Sequence, residues 1–297
     1  MAGKMFGIPV AGTMAHSWVM SFPTEIDAFR EYARQYPSNA ILLVDTYNSL
    51  RSGVPNAIAV FKELMDSGVK LGKYGIRFDS GDLAYLSKEA RKALDEAGMQ
   101  AAVISASNDL DEYIIRDLKM QGAKIKLWGV GTKLITSDGA SSMGGVYKLA
   151  AEYEADQMVA KMKISDNVEK MTNPGLKKLY RVYQEGKIKA DLITLANETL
   201  DNDKELLLSD ETHDWKKIVL PPSSYELREM LVPIFQNGCC VYKQPSLPEI
   251  KAYAQSEMST LWDEHKRLTN PEQMRVDLSD KLLALKKQLL YDAKQEW

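Results

Sequence analysis

The chain is poor in cysteine: its two cysteines, Cys239 and Cys240, are adjacent. Neighbouring cysteines make neither a disulfide framework nor a CxxC metal pair, so free thiols in a reducing cytoplasm are expected. Long apolar runs are missing too, and none approaches the roughly 20 residues of a membrane span. Residues 1–10 lack a basic stretch followed by a long apolar one, which argues against a signal peptide. There is no dense Lys/Arg tract, and the net charge is -3. Neither a nucleic-acid nor a membrane partner is therefore expected, while a local cationic pocket for a phosphorylated ligand still fits. Histidine is scarce. Of the three, His213 and His265 sit among polar neighbours and read as surface residues, whereas His16 follows an apolar run.

What is present is a sizeable core, since 45% of the 297 residues are apolar. Five short apolar runs, at 7–11, 41–44, 75–78, 101–104 and 125–128, lack strict alternation, as do parallel strands buried on both faces. Amphipathic segments separate them: a helix N-capped by Thr24 and reaching 34, then helices over 54–65, 83–97 and 110–120. Such alternation is βαβ arithmetic. Five units do not close a barrel of about eight strands. An open doubly wound sheet or a barrel with units missing remains, and a strand starting at residue 7 favours the barrel.

The pattern changes after Gly145. Period-2 segments predict one hairpin over 146–154 and 158–164, around Ala155-Asp156. A second is predicted over 179–184 and 187–195, around Glu185-Gly186. Residues 202–222 read as a polar linker, followed by helices over 224–236, 247–267 and 281–294. The expected organisation is a barrel portion at 1–142, hairpins of a sandwich-like region at 143–200, and a linker with C-terminal helices at 201–297.

The chemistry gathers after the apolar runs. They lead into Gly12-Thr13-Met14-Ala15-His16, Asp45-Thr46, Arg77-Phe78-Asp79-Ser80-Gly81-Asp82, Ser105-Ala106-Ser107-Asn108-Asp109 and Gly129-Val130-Gly131-Thr132. In α/β folds the carboxyl ends of the strands form one ligand-binding face. Capping explains single Asp or Ser residues there, but not Arg77, His16 and a GxGT together. In Gly129-Val130-Gly131-Thr132, glycines let backbone N–H groups converge on an anion and Thr132 adds a hydroxyl; a plain tight turn is the alternative. Ser105 to Asp109 offers further donors, or an N-cap at Asn108 or Asp109. Arg77 suits a pyrophosphate or carboxylate, or an ion pair with Asp79 or Asp82. Those two carboxylates suit sugar hydroxyls or Mg2+ held through water. His16, with Asp45 to fix its tautomer, suits nucleophilic or acid–base work.

In this order, the segments GKMFGIPVAGTMAHSW, LLVDTYNS, GIRFDSGDL, SASNDLDE, WGVGTKLITS and KISDNVEKMTNPG resemble the nicotinate phosphoribosyltransferase family. The similarity spans residues 2–195 and, more faintly, the tail near LWDEHKR. The resemblance implies an α/β fold: an incomplete, irregular (β/α) barrel of the type II phosphoribosyltransferases, then antiparallel hairpins and a helical tail. It implies ATP-dependent, ligase-class transfer of phosphoribosyl from phosphoribosyl pyrophosphate to nicotinate, with Mg2+, in NAD synthesis. His16 matches the position of a phosphohistidine and Asp45 the carboxylate that orients it. Arg77 and Asp79 match residues near base and ribose. Ser107, Asn108, Gly129, Gly131 and Thr132 match the region holding the ribose phosphate; no residue is assigned as a direct metal ligand. A cytoplasmic homodimer sharing its active sites is implied. So is an N-terminal part absent from these residues, which would supply the first barrel strands and the aromatics that stack on the pyridine. The alternative is a non-catalytic fragment that binds a phosphorylated ligand. A barrel isomerase or aldolase would need a Lys or Glu base at a strand end, and none of the five runs ends in one.

Overall fold

Residues 24–128 fold as helices and strands in turn because each helix has its own start signal. In the computed structural model, which describes residues 1–165, 171–210, 213 and 215–295, the chain divides into two units, Met1–Gly144 and Gly145–Trp297. The first unit runs α1 (Ala2–Phe6), α2 (His16–Met20), α3 (Glu25–Gln35), β1 (Asn39–Leu43), α4 (Val54–Asp66), β2 (Lys73–Phe78) and α5 (Leu83–Glu96). It continues with β3 (Val103–Ala106), α6 (Glu112–Met120), β4 (Leu127–Trp128) and α7 (Thr132–Ile135). Thr24, Asp82 and Asp111 cap α3, α5 and α6 by accepting from the N–H groups of Asp27, Tyr85 and Ile114. Asp111, not Asn108 or Asp109, is thus the cap of α6.

The strands form a parallel sheet in the order β1-β2-β3-β4, with Leu42 opposite Ile76, Ile76 opposite Ile104 and Ala106 opposite Trp128. One face is fully apolar: Leu42, Ile76, Phe78, Ile104 and Ala106 pack with Phe29, Phe61 and Leu94 in a single core. The sheet is a curled, incomplete (β/α) barrel wall of four strands. The expected first strand is absent. Residues 7–11 pair with no strand, and Ile8 and Val10 are 47% and 84% exposed. The two residues after it reach the edge strand β1 through side-chain bonds: the Thr13 hydroxyl donates to Ile41 O, and Asn39 Nδ2 donates to Gly12 O at 3.4 Å. An apolar run without a backbone ladder does not become a strand.

The second unit contains β5 (Ala151–Glu154), β6 (Gln157–Ala160), β7 (Lys177–Gln184), β8 (Lys187–Leu195), β9 (Leu206–Ser209), β10 (Lys217–Leu220) and β11 (Glu226–Glu229). Then come β12 (Phe235–Gln236), β13 (Cys239–Cys240), α8 (Leu247–Thr260), β14 (Val276–Leu278) and α9 (Asp280–Gln295). Both expected hairpins form. Ala155 and Asp156, like Glu185 and Gly186, take positive φ on both turn residues, the type I′ geometry that matches strand twist. Residues 166–170, within the KISDNVEKMTNPG segment, lie outside the described residues.

Two expectations fail here. The polar "linker" at 202–222 holds β9 and β10, and the expected helix over 224–236 holds β11 and β12. Leu206, Leu208, Leu220 and Tyr225 are buried with Val182, Ala190 and Leu192 of the second hairpin. A six-stranded sheet, β10-β9-β14-β8-β7-β11, results. Tertiary burial of short apolar runs outweighed their polar surroundings. The expected helix over 247–267 ends at Thr260, with a single 3-10 turn at Asp263–Lys266. The last helix, α9, forms and buries Leu282 and Leu283.

Candidate functional site

Past β1 the chain cannot wander. Gly53 returns so close to the strand end that a Cβ there would stand 1.9 Å from Val44 O, so no larger residue fits. Asn48 Oδ1 accepts from Arg51 N at 2.9 Å and closes the turn. Asp45 is thereby fixed, with its side chain 2% exposed. Its Oδ2 accepts from the Asp79 backbone N–H at 2.8 Å and the Ser80 hydroxyl at 2.7 Å. Its Oδ1 is buried and has no hydrogen-bond partner among the described residues.

His16 opens α2 and points its Nε2 at that orphaned oxygen, 3.9 Å away. Asp79 Oδ2 lies at 3.9 Å from the same nitrogen. The other Asp79 oxygen accepts from the Ser107 hydroxyl, and Ser107 is locked by its own N–H to Phe78 O at 3.0 Å. On its far side the ring meets Thr46 Oγ1 from Nδ1 at 3.0 Å. Two carboxylates therefore face one ring nitrogen and a hydroxyl the other. The arrangement orients the ring, with Nε2 toward the two carboxylates and Nδ1 toward the hydroxyl. An oriented imidazole of this kind can act as a nucleophile or a general base.

Arg77 does not pair with Asp79 or Asp82. Its Nη2 donates to Met14 O at 2.9 Å, and Nε is buried without a partner among the described residues. Asp82 is turned away as the α5 cap. Arg77 lines an open cleft of about 310 Å³ together with Lys73, Ser105, Ser107 and Gly129. Ser107 belongs both to this cleft and to the histidine cluster.

The glycine turn differs from expectation at Gly129. Its N–H donates to Ala106 O at 2.8 Å, so it is not free for an anion, and the residue serves to end β4 beside Ser107. Gly131 and Thr132 are exposed at the start of α7 and do not line the cleft, and neither does Asn108, held at φ 79 in its exposed turn. Three residues of this region escaped sequence reasoning. Thr46 and Ser80 each directly follow a strand-end Asp, and that adjacency was the available signal. Lys133 follows the GxGT. Its Nζ reaches Asp111 Oδ2 at 3.0 Å and Asp138 Oδ2 at 3.4 Å, tying α7 to the start of α6. The Ile114 N–H and then Lys133 hold the Asp111 carboxyl below its usual range.

Residues 176–286 match the family described as nicotinate phosphoribosyltransferase C-terminal domain. The nicotinate phosphoribosyltransferase of Bacillus subtilis (strain 168) is 45% identical over 296 residues, which is 99% of this chain and 59% of that protein. Nearly the whole chain is thus similar to the nicotinate phosphoribosyltransferase family. The Homo sapiens nicotinate phosphoribosyltransferase is 31% identical over 342 residues, 96% of this chain and 62% of that one. The crystal structure of human Nicotinic Acid Phosphoribosyltransferase superposes with a TM-score of 0.73 at 29% identity, over 97% of this chain and 63% of that chain. The chain thus spans about three-fifths of the length of the nicotinate phosphoribosyltransferases it matches.

Proposed function

We propose that this chain carries the ATP-coupled, phosphoribosyl-transferring portion of a nicotinate phosphoribosyltransferase. In this reading ATP phosphorylates His16, and phosphoribosyl passes from phosphoribosyl pyrophosphate to nicotinate, giving nicotinate mononucleotide and pyrophosphate. The observation that carries it is the His16 ring at the start of α2, facing Asp45 and Asp79 past the ends of parallel strands, each 3.9 Å from Nε2. Asp45 orients the ring. Arg77 and Asp79 face base and ribose. Ser107, Asn108, Gly131 and Thr132 hold the ribose phosphate, with Gly129 shaping the turn.

Phosphoribosyl transfer depends mainly on positioning and on where charge is placed. A phosphorylated His16 adds roughly -1.5 to -2 charge beside two carboxylates. That concentration of anionic groups couples ATP use to the handling of pyrophosphate. Among the described residues no three His, Cys, Asp or Glu side chains form a metal cage. Mg2+ typically takes one or two carboxylates and completes its shell with water and substrate phosphates. Asp79, far more exposed than Asp45, fits that demand with Mg2+ held through water. Bound there, Mg2+ would supply charge neutralisation to the departing pyrophosphate. A cytoplasmic homodimer completes the reading, and no helix among the described residues is long and apolar enough to cross a membrane.

The test is mass spectrometry of the product after nicotinate, phosphoribosyl pyrophosphate and ATP are added. It is run on the chain alone and on the chain joined to the part of the Bacillus subtilis relative that it does not match. Nicotinate mononucleotide from the joined form supports the proposal. Its absence, with ATP left unhydrolysed, refutes it.

A further inference from the structure

We infer that Thr46 is a positioning residue for His16, a hydroxyl lock on the ring plane that keeps Nε2 aimed at the two carboxylates. The inference rests on the reading of His16 as the phosphoryl acceptor. Among the described residues the bond to Thr46 Oγ1, at 3.0 Å, is the one hydrogen bond the His16 ring makes. Asp45 Oδ1 and Asp79 Oδ2 face Nε2 from 3.9 Å, too far for a hydrogen bond and near enough for a strong field.

An ionised carboxylate only accepts, so both favour a proton on Nε2. Nδ1 is then a lone pair, and the Thr46 hydroxyl must be the donor to it. The two sides of the ring act together: the carboxylates select the tautomer, and Thr46 holds the ring plane that keeps Nε2 aimed between them. His16 itself is 39% exposed and lacks the packing to hold that orientation alone.

Thr46 also sits at the atom that reacts. As the Nδ1 lone pair attacks the γ-phosphorus of ATP, the N–P bond forms and the bridging P–O bond breaks. The electron pair leaves with ADP, and the Nε2 proton stays on the ring. The Thr46 hydroxyl is released from Nδ1 and is placed to donate to an oxygen of the new phosphoryl group.

The experiment reads the tautomer directly, by 15N NMR of the His16 ring at the alkaline plateau of a pH series, where its shifts no longer change. In parallel, the rate of acid-labile label from ATP is measured. The native chain should show the Nε2–H tautomer. Thr46→Val, close in shape but without the hydroxyl, should mix the tautomers and slow labelling at least about 10-fold, the effect of losing one orienting hydrogen bond. Thr46→Ser should restore both. An unchanged tautomer in Thr46→Val overturns the inference, even if labelling falls. A native chain that takes no label while Thr46→Val still mixes the tautomers refutes the phosphoryl-acceptor reading and supports the lock.

Discussion

On the sheet of residues 145–297 charged side chains neutralise one another. Arg181 binds Asp191 through two bonds at 2.8 and 2.9 Å and reaches Glu257 at 3.3 Å. Arg228 takes Glu257 with two bonds at 2.8 and 2.6 Å. At the strand ends of residues 1–144 the opposite holds. Asp45 and Asp79 meet no Lys or Arg among the described residues, and both turn to His16. Arg77 meets a carbonyl in place of a carboxylate. Paired charges need nothing further to be stable, and they fasten α8 to its sheet. Carboxylates that converge without a cation carry a repulsion that folding does not require, and a proton, phosphoryl acceptor or metal can relieve it. The contrast separates scaffold from site more sharply than burial does, because both units leave buried polar atoms unpartnered.

Replacing His16 by Ala tests the contrast with the largest expected effect. ATP should place an acid-labile, base-stable phosphate on the native chain and none on His16→Ala; equal labelling of the two would dissolve the site. Next comes Asp45→Asn. Its amide can still satisfy Ser80 and the Asp79 N–H only by turning an NH2 toward Nε2. The ring is then driven to the other tautomer, and labelling should fall on the order of 100-fold, smaller than the loss known for a wrong tautomer in a hydrolytic triad. A rate within about 2-fold of native, below what one lost hydrogen bond produces, would show that the unpaired carboxylate is scaffold after all.

Much of this site was legible before any fold was known. Asp45, Asp79 and Ser107 follow apolar runs that form parallel strands, which bring such ends to one face, while His16 follows a run that forms no strand and meets them from the start of α2. The contacts that hold them were not legible. Ser80 and Thr46 act through single hydroxyl bonds set by a close turn, and the pressure of Gly53 on Val44 exists only in three dimensions. Gly129 looked like an anion donor because its N–H bond to Ala106 depends on the register of β3 with β4. In the second unit the hairpins announced themselves through Ala155-Asp156 and Glu185-Gly186. β9 and β11 did not, since four-residue strands in polar company take their identity from partners distant in sequence.

Gly131→Val asks whether the anion-binding side of the first unit extends to α7. A Cβ at Gly131 meets no protein atom within 4 Å, so the substitution leaves the packing alone and reads the approach of a ligand. Phosphoribosyl pyrophosphate binding, followed by calorimetry, should weaken by about 2 kcal/mol through lost charge-assisted bonds. An unchanged dissociation constant would confine the site to the His16 cluster and the Arg77 cleft.

The smallest expected effect falls on the other side of the comparison, at Glu257. Its carboxylate is shared by two guanidiniums, and the Arg228 bond holds its pKa below the ordinary Glu value of 4.5. A carboxyl depressed by folding stabilises the native state fully above its unfolded-state pKa. That contribution is lost as pH falls through the depressed value, when the group protonates in the folded chain as well. Glu257 and Arg228 are partly exposed, so solvent screens the pair and the interaction is worth about 1 kcal/mol. Glu257→Gln should therefore unfold in urea at neutral pH with about 1 kcal/mol less stability. The gap to the native chain should narrow as both are acidified below the Glu range. Because this network is scaffold, the ATP labelling of His16 should be unchanged. A labelling rate that fell along with stability would tie the second unit's charges to the chemistry of the first and break the division drawn here. A stability gap that persisted in acid would mean that Glu257 acts through packing or hydrogen bonding, with its charge playing no part.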